Sequence, residues 1–378
     1  MKRFIFSLAV ASICVAACNP AKETSRVPAL DYSNLDTLTA PGADFYKYAT
    51  GGWQKNNPLK PEFSRYGAFD VLAENNEIRL NDLFKGLVSL KTEAGSVERK
   101  ITDLYKMGLD STRLNTEGAA PLEKYLAKIE TEVVDARSFA RLSAECERNG
   151  AGGLFGCYAE ADLADSDNEV LYIGESGLSM GNRDYYLLEQ HEALRQGYRE
   201  FLEKIFTLAG YEDAAQRAAD AYDVEMAIAV PFWSMVQQRD VEAQYNPFTT
   251  SQLVAAYPNL HFDVYFKALS IPAQEKIIVE QPSYFEALDK IVGQTDPVKL
   301  RHYLQASVIS DACGCISDEF YTASFDFFSR QMAGVKEQKP RWKRAMRVPN
   351  GLLGEAVGEM YVKKYFPEAD KEKMLRIV

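Results

Sequence analysis

Zinc chemistry is the first possibility that the sequence raises, because His191 opens the stretch HEALR, which resembles half of the zinc-binding His-Glu-x-x-His helix. The second histidine of that motif would fall on Arg195, a cation that repels a metal ion. The other two histidines, His261 and His302, have no candidate ligands at a suitable spacing. We therefore expect no metal to be bound by this chain.

Four cysteines offer a second kind of chemistry: Cys146, Cys157, Cys313 and Cys315. Cys146 and Cys157 are far enough apart to close a loop, whereas a bridge between Cys313 and Cys315 would be strained. A zinc site built from all four thiolates would lack the usual Cys-x-x-Cys pairs. We expect mostly buried free thiols, and their pairing stays open.

Covalent lipidation is the third possibility. Lys2 and Arg3 precede the apolar stretch FIFSLAVASICVAA, which is short for a membrane span and ends in small residues before Cys18. This order predicts a lipoprotein signal peptide over residues 1–17, a lipidated Cys18 and a flexible tether over 18–40; the alternative is an ordinary secretory signal with a chance cysteine. The expected location is the bacterial cell envelope, at the outer membrane or cell surface.

The bulk composition narrows the class of protein. The 378 residues are 47% hydrophobic and carry a formal net charge of −11. That composition can fill a sizeable core, and the acidic balance makes nucleic acid an unexpected partner. No phosphate-binding glycine loop is found in the sequence.

The sequence predicts that helices position most of the side chains that could act in binding or catalysis. Apolar residues recur at helical spacing along residues 69–87 and 97–109, where Val71, Leu72, Ile78 and Leu83 suggest one broad stripe. Further helices are predicted over Glu192–Leu208, from Glu212 to about Met235, and over Phe320–Met332. The strand signals are two segments around the turn LADSDN, which predict one hairpin, and a lone candidate at 276–280. We predict a mainly α fold, a multi-helix lobe with one small β-hairpin.

Five blocks of sequence resemble, in order, the opening half of the neprilysin-like zinc metallopeptidases, a family that includes the endothelin-converting enzymes and bacterial oligopeptidases. The first contains SRYGAFD and the second YIGESGLSMGNRDYYL, and the last is KPRWKRAMRVPNGLLGEAVGEMYVKKYFP. The resemblance covers most of residues 41–378, and the blocks lie at residues 44–80, 172–187, 237–249, 277–288 and 339–367.

The resemblance implies that residues 41–378 are the amino-terminal helical domain of a two-lobed peptidase, incomplete at its C-terminal end. The family's zinc helix and its glutamate ligand lie beyond the last block. Zinc would then belong to the complete protein, and this chain alone would be inactive without the missing C-terminal catalytic lobe. The amino-terminal part would cap the reaction chamber and admit short peptides only.

The resemblance also nominates Arg65 and Asp70 as substrate-binding residues, with the guanidinium meeting a peptide's terminal carboxylate and Asp70 orienting it. The alternative is a structural pair that closes the turn, with Asp70 as the N-cap of the following helix. The same comparison suggests that Gly51, Gly52 and Trp53 form a tight turn.

A function of another class also fits the sequence. A helical, aromatic-rich surface lipoprotein could bind oligosaccharides or peptides without catalysis. The lipidation signal, the helices and the 21 tyrosines agree with this alternative, but it does not explain the five ordered blocks.

Overall fold

The computed structural model describes residues 30–377. The predicted signal peptide and Cys18 lie outside the described residues, so those predictions stand as they were made. The chain divides into two compact units, one up to Lys60 and one from Pro61 onward. Within residues 30–377, none of the helices combines the length and the apolar character needed to cross a bilayer.

The first unit contains helix α1 (Phe45–Asn56), which begins where the Asp44 carboxylate accepts a hydrogen bond from the Lys47 amide at 2.9 Å. Gly51 and Gly52 lie inside this helix, so the predicted tight turn is wrong. A Cβ atom on Gly52 would stand 2.3 Å from the backbone oxygen of Ser33. The glycine therefore permits a close approach of two backbones within this unit.

The second unit is mainly helical, as predicted. Its helices are α2 (Ala68–Ser89), α3 (Val97–Leu109), α4 (Ser111–Glu117), α5 (Glu123–Glu132), α6 (Ala136–Glu147), α7 (Arg183–Leu187), α8 (Glu192–Leu208), α9 (Ala214–Ala229), α10 (Thr250–Ala256), α11 (Phe262–Leu269), α12 (Pro282–Gln294), α13 (Pro297–Ala312), α14 (Asp318–Ser324), α15 (Arg341–Leu352), α16 (Gly354–Tyr365) and α17 (Glu368–Leu375).

Two of the predicted helices need correction at their ends. Helix α8 has the predicted bounds, but α9 stops at Ala229 instead of continuing to about Met235. Pro231 follows closely, and because a proline has no backbone N–H group it cannot continue the helical hydrogen bonds. The predicted helix over Phe320–Met332 is confirmed as helical, but α14 passes into a π-helix over Phe325–Met332.

The predicted hairpin is part of a four-stranded sheet in the order β1-β2-β4-β3. Strands β1 (Phe155–Asp162) and β2 (Asp165–Glu175) are antiparallel, and their turn is shorter than the predicted LADSDN. Strand β4 (Ile277–Val279) is the predicted lone strand, and it pairs in parallel with β2. Strand β3 (Asn246–Phe248), which was not predicted, adds to the other side of β4.

A large hydrophobic core fills the middle of the chain, from Leu126 on α5 to Phe327 in the π-helix. Tyr284 is fully buried in this large core, and its hydroxyl donates to the backbone oxygen of Leu154 at 2.7 Å. The carboxylate of Glu225 is also buried there and accepts a hydrogen bond from the Tyr198 hydroxyl at 2.6 Å. The polar groups of Tyr284 and Glu225 are thus hydrogen-bonded inside the large core.

A separate small core brings together the two ends of the second unit, helices α2 and α3 with α15 and α16. Its buried residues are Leu83, Phe84, Leu87, Ile101, Tyr105, Ala345, Met346 and Val357. A Cβ atom on Gly108 would lie 2.9 Å from the Cα atom of Ala345, so α3 and α15 touch closely at this glycine.

The single apolar stripe predicted for α2 is wrong. Leu83 is buried, whereas Leu72 and Ile78 are exposed. At 100° per residue, Ile78 points away from the face that carries Leu83, so the helix has apolar side chains on two faces. Only one of these faces is enclosed by the small core.

Candidate substrate-binding turn

The segment before α2, residues 61–67, carries the sequence-predicted site and is anchored through its backbone. The carbonyl oxygen of Pro61 accepts hydrogen bonds from the amides of Lys336 and Glu337 at 2.9 and 3.0 Å. The ring of Phe63 meets that of Tyr66 edge to face at 5.2 Å between centroids. These contacts attach the turn to the segment that leads into α15.

Lys343 on α15 is the electrostatic centre of this attachment. Its ammonium group lies 2.9 Å from a Glu62 carboxylate oxygen, 3.2 Å from Glu77 and 3.9 Å from Glu74. Burial alone would lower the pKa of Lys343, but hydrogen bonds with Glu62 and Glu77 outweigh it and raise that pKa. The charged form of Lys343 therefore holds the turn against α2 and α15.

Arg65 and Asp70 are not in contact, contrary to the structural pair considered above. Arg65 is exposed, and among the described residues its guanidinium makes no hydrogen bond or ion pair. The Asp70 carboxylate instead accepts a hydrogen bond from the Gly67 amide at 2.8 Å. Gly67 is the N-cap of α2, so Asp70 is not the N-cap; it lies in the first turn, where the helix dipole favours a carboxylate.

Phe69 is a residue that the sequence reasoning missed. It lies between the two nominated residues and is 88% exposed. A phenylalanine so exposed at the start of a helix presents an apolar surface to the outside of the unit. Its position inside the block SRYGAFD could have pointed to Phe69. A phenylalanine, however, is most simply interpreted as a residue of the hydrophobic core.

A groove runs along the first half of α2, beside Tyr361, which packs against the small core. It encloses about 760 Å³ and is lined by Leu72, Ala73, Asn75, Asn76, Ile78, Arg79 and Tyr361. Arg79 donates a hydrogen bond to the Tyr361 hydroxyl at 3.3 Å, which joins the two walls. The groove therefore places one guanidinium, that of Arg79, beside several apolar side chains on the helix that follows the turn.

A zinc site does not fit the residues present. Over residues 30–377, no group of three or more His, Cys, Asp or Glu side chains is placed to hold a metal ion. His302 is buried, and its Nδ1 atom lies 2.8 Å from an Asp220 oxygen inside the large core, which is a structural pair. Cys146 and Cys313 are buried free thiols, Cys157 is half-buried and Cys315 is exposed.

Comparison with known proteins decides the family. Residues 41–378 match the model of the amino-terminal part of peptidase family M13. The chain belongs to peptidase family M13. The relatives in this family include endothelin-converting enzyme 1 of Bos taurus, 27% identical over 359 residues, and the Homo sapiens protein of the same name, 26% identical over 360 residues. The predicted resemblance to the neprilysin-like peptidases is thus confirmed.

Solved structures of M13 proteins share the fold. The zinc metalloprotease Zmp1 of Mycobacterium tuberculosis, solved with an inhibitor, superposes with a TM-score of 0.86 at 25% identity, covering 92% of this chain and 53% of that one. PepO from Lactobacillus rhamnosis gives a TM-score of 0.75 at 19% identity, over 90% of this chain and 54% of that one. The chain covers 47% of the length of the bovine relative, matched over 92% of its own residues.

Proposed function

We propose that this chain is the amino-terminal, substrate-capping portion of a zinc metalloendopeptidase that cleaves short peptides. The match to family M13 over residues 41–378 carries the proposal. Zinc and its ligands would belong to a carboxy-terminal catalytic lobe, because the described residues offer no ligand set. The chain alone would then be inactive, and its role would be to limit entry to peptides small enough for an enclosed chamber.

Uncovered apolar side chains on the helices of the small core support a partner lobe. Leu72 and Ile78 on α2 are 63% and 60% exposed, and Leu352 at the end of α15 is 70% exposed. Val362 on α16 and Leu375 on α17 are exposed as well. Apolar side chains gathered on neighbouring helices mark an interaction surface more often than scattered ones do.

Arg65, Phe69 and Asp70 would receive the end of the peptide substrate. A guanidinium without an internal partner can pair bidentately with a terminal carboxylate, and Phe69 would contact the adjacent apolar side chain. Asp70 would act through the backbone, since its hydrogen bond to Gly67 fixes the turn that carries Arg65. The attachment through Lys343 keeps this turn in place before the substrate arrives.

The cell envelope remains our proposed location. A lipid attached to Cys18 would tether the peptidase to the outer membrane or cell surface, within reach of extracellular peptides. Metabolic labelling with a palmitate analogue tests this: incorporation is expected in the natural chain and not in the Cys18→Ser variant. Labelling that survives the substitution would contradict a lipid anchor at this residue.

The first test of the proposed function is to read the DNA that follows the codon for Val378. A His-Glu-x-x-His helix, in frame or displaced by a frameshift, is expected there. If it is found, the encoded segment is produced together with this chain, and chelator-sensitive cleavage of a short peptide is expected from the pair but not from this chain alone. Stoichiometric zinc in the purified chain, or cleavage by it, would contradict the proposal.

A matched pair of variants tests the interface. Leu72→Glu with Ile78→Glu places charges at two exposed apolar positions of α2, and we expect loss of co-purification with the downstream segment. Glu substitutions at Lys91 and Lys124, which are exposed and polar already, serve as the control and should leave co-purification intact. Equal behaviour of the two double variants would contradict this interface.

A further inference from the structure

A small cavity lies where helices of the small core meet those of the large core. It encloses about 150 Å³ between α3, α4, α14 and α15. Its walls are mostly apolar and include Leu104, Leu114, Ile316 and Val348, with Cys315 at the exposed edge. A cavity of about this size in another protein accommodates benzene, so the space suits a group of that size.

Arg344 lines this cavity, and among the described residues its guanidinium donors lack hydrogen-bond acceptors. Its side chain is 18% exposed, yet within the described chain the guanidinium donates no hydrogen bond. Its Nε atom is fully buried without an acceptor. The guanidinium plane lies over the Tyr321 ring at 4.1 Å, a contact that leaves its in-plane donors unused. A largely buried guanidinium without acceptors is costly, because its donors have lost water and gained no partner.

The charges around the cavity are unbalanced as well. Arg341 and Arg344 share a single carboxylate, that of Asp318. Arg341 donates to it and to the Gly108 carbonyl oxygen, at 3.1 Å for the latter, whereas Arg344 reaches Asp318 only at 3.5 Å. The second oxygen of Asp318 accepts from Asn115 at 3.2 Å. Two guanidinium groups beside the cavity thus share one carboxylate, so one of their two positive charges is left uncompensated.

We propose that this cavity binds a small carboxylate with a branched aliphatic tail. The carboxylate would accept hydrogen bonds from Arg344, and the tail would fill the apolar space between Leu114, Ile316 and Val348. A phosphate dianion would fill the charged end but leave the apolar walls unpaired, and a neutral amide would leave the positive charge uncompensated. Such a ligand would also brace the junction between the two cores, since its contacts lie on helices of both.

Isovalerate is the probe for this site, titrated into the purified chain at constant ionic strength and followed by isothermal calorimetry. Saturable binding with a Kd of roughly a millimolar is expected for a ligand of this size. Isovaleramide and inorganic phosphate should not bind. Acetate should bind at least about tenfold more weakly, because it lacks the buried methyl and methylene groups. Equal binding of isovalerate and its amide, or of phosphate, would overturn the proposal, as would no binding at all.

The Arg344→Met variant tests the residue itself, and we expect at least about tenfold weaker binding of isovalerate. Arg347→Met is the matched control: Arg347 lies on the same helix, is exposed and does not line the cavity, so affinity should be retained. Undiminished binding by Arg344→Met would contradict the assignment.

A measurement on the unaltered chain tests the same site without a variant that could misfold. Maleimide labelling of Cys315, quantified by peptide mass spectrometry, should slow in proportion to isovalerate occupancy. The labelling rate of Cys157, which lies elsewhere, should stay constant. An isovalerate effect on both cysteines, or on neither, would count against binding at this cavity.

Discussion

The large core and the small core are built from the same kinds of residue but are enclosed to different degrees. Around the large core, the exposed Val230, Met235, Val236 and Val241 lie in the irregular segment between α9 and β3. Around the small core, the exposed Leu72, Ile78 and Val362 lie within helices that also carry buried residues. Exposed apolar side chains on these helices are what we expect if the small core packs against a further segment of polypeptide. This contrast supports the proposed catalytic partner at the small core.

The two regions also handle charge differently. The large core contains a buried carboxylate, Glu225, and a half-buried one, Glu175, which accept hydrogen bonds from the Tyr198 hydroxyl and the Gln238 amide. The small core places its charges at its edge, where Lys343 compensates several glutamates. Stability in the two regions should therefore respond to different perturbations, and five changes test this.

Truncation of a buried aromatic residue should have the largest effect. Phe285 is fully buried against Phe155, Tyr257 and Tyr284, so Phe285→Ala should lower the free energy of unfolding by about 3–5 kcal/mol. Phe84→Ala should instead act mainly on local opening, raising amide exchange in α2, α3, α15 and α16 while α9 and α13 stay protected. Urea denaturation measures the first effect and hydrogen exchange by mass spectrometry the second; a uniform change of exchange in Phe84→Ala would show a single cooperative core.

Removal of the Lys343 charge should come second. Lys343→Met removes the cation that the carboxylates of Glu62, Glu74 and Glu77 share, at a cost of about 2–3 kcal/mol. The local consequence is release of the turn, so trypsin should cleave after Arg65 faster than in the unaltered chain. Lys363→Met, an exposed lysine on α16, is the control and should change neither quantity. Unchanged cleavage after Arg65 in Lys343→Met would refute the anchoring role.

The pH dependence of stability distinguishes the large core. Burial raises the pKa of Glu175 to about 7 from 4.5, against the hydrogen bonds from Trp233 and Gln238 that lower it. Between these two values the folded state binds more protons than the unfolded state, so stability must fall as pH rises from about 4.5 to about 7. The contribution is about 2 kcal/mol after allowance for solvent screening.

Glu175→Gln should flatten the curve of unfolding free energy against pH in that window, measured by urea denaturation. Glu355→Gln, at an exposed position on α16, is the control and should leave the slope as it is. An unchanged slope in Glu175→Gln would mean that other buried carboxylates of the large core, whose pKa values burial also raises, dominate the effect.

A glycine pair gives a smaller and more local test. Gly108→Ala should cost about 1–2 kcal/mol, because the new Cβ atom meets the backbone of Ala345 and forces α3 away from α15. Gly358→Ala on α16 is the matched control; its Cβ would meet nothing within 4 Å, so the lower entropy of the unfolded chain should stabilise it slightly. Thermal denaturation of the two variants should shift in opposite directions, and a parallel shift would refute the close helix contact.

The sequence predicted helices that have one apolar and one polar side. It failed where a helix is apolar on several sides. Helix α13 buries Leu300, His302 and Tyr303 on several sides, so it has no apolar stripe. The small core joins segments from opposite ends of the second unit, and no local pattern records such a pairing. Arg65 and Asp70 were nominated by the resemblance to a family. That they do not contact each other, and that Lys343 holds the turn, depends on packing between distant segments, which the sequence does not reveal. The strand at Asn246–Phe248 is too short to show alternation.

Substitution of Arg65 should have the smallest effect on stability. It is also the most direct test of the proposed function. Arg65 is exposed and has no partner in the described chain, so Arg65→Met should change the free energy of unfolding by no more than about 0.5 kcal/mol. In an active enzyme, the same variant should weaken cleavage of peptides with a free terminal carboxylate by about tenfold, since a charged hydrogen bond is lost. Peptides with an amidated end never formed that bond, so their kcat/KM should stay nearly constant. Arg99→Met, an exposed arginine on α3 that pairs with Asp103, should affect neither class of peptide. Equal losses for free and amidated peptides in Arg65→Met would assign this residue to the structure of the turn and leave carboxylate recognition to another group.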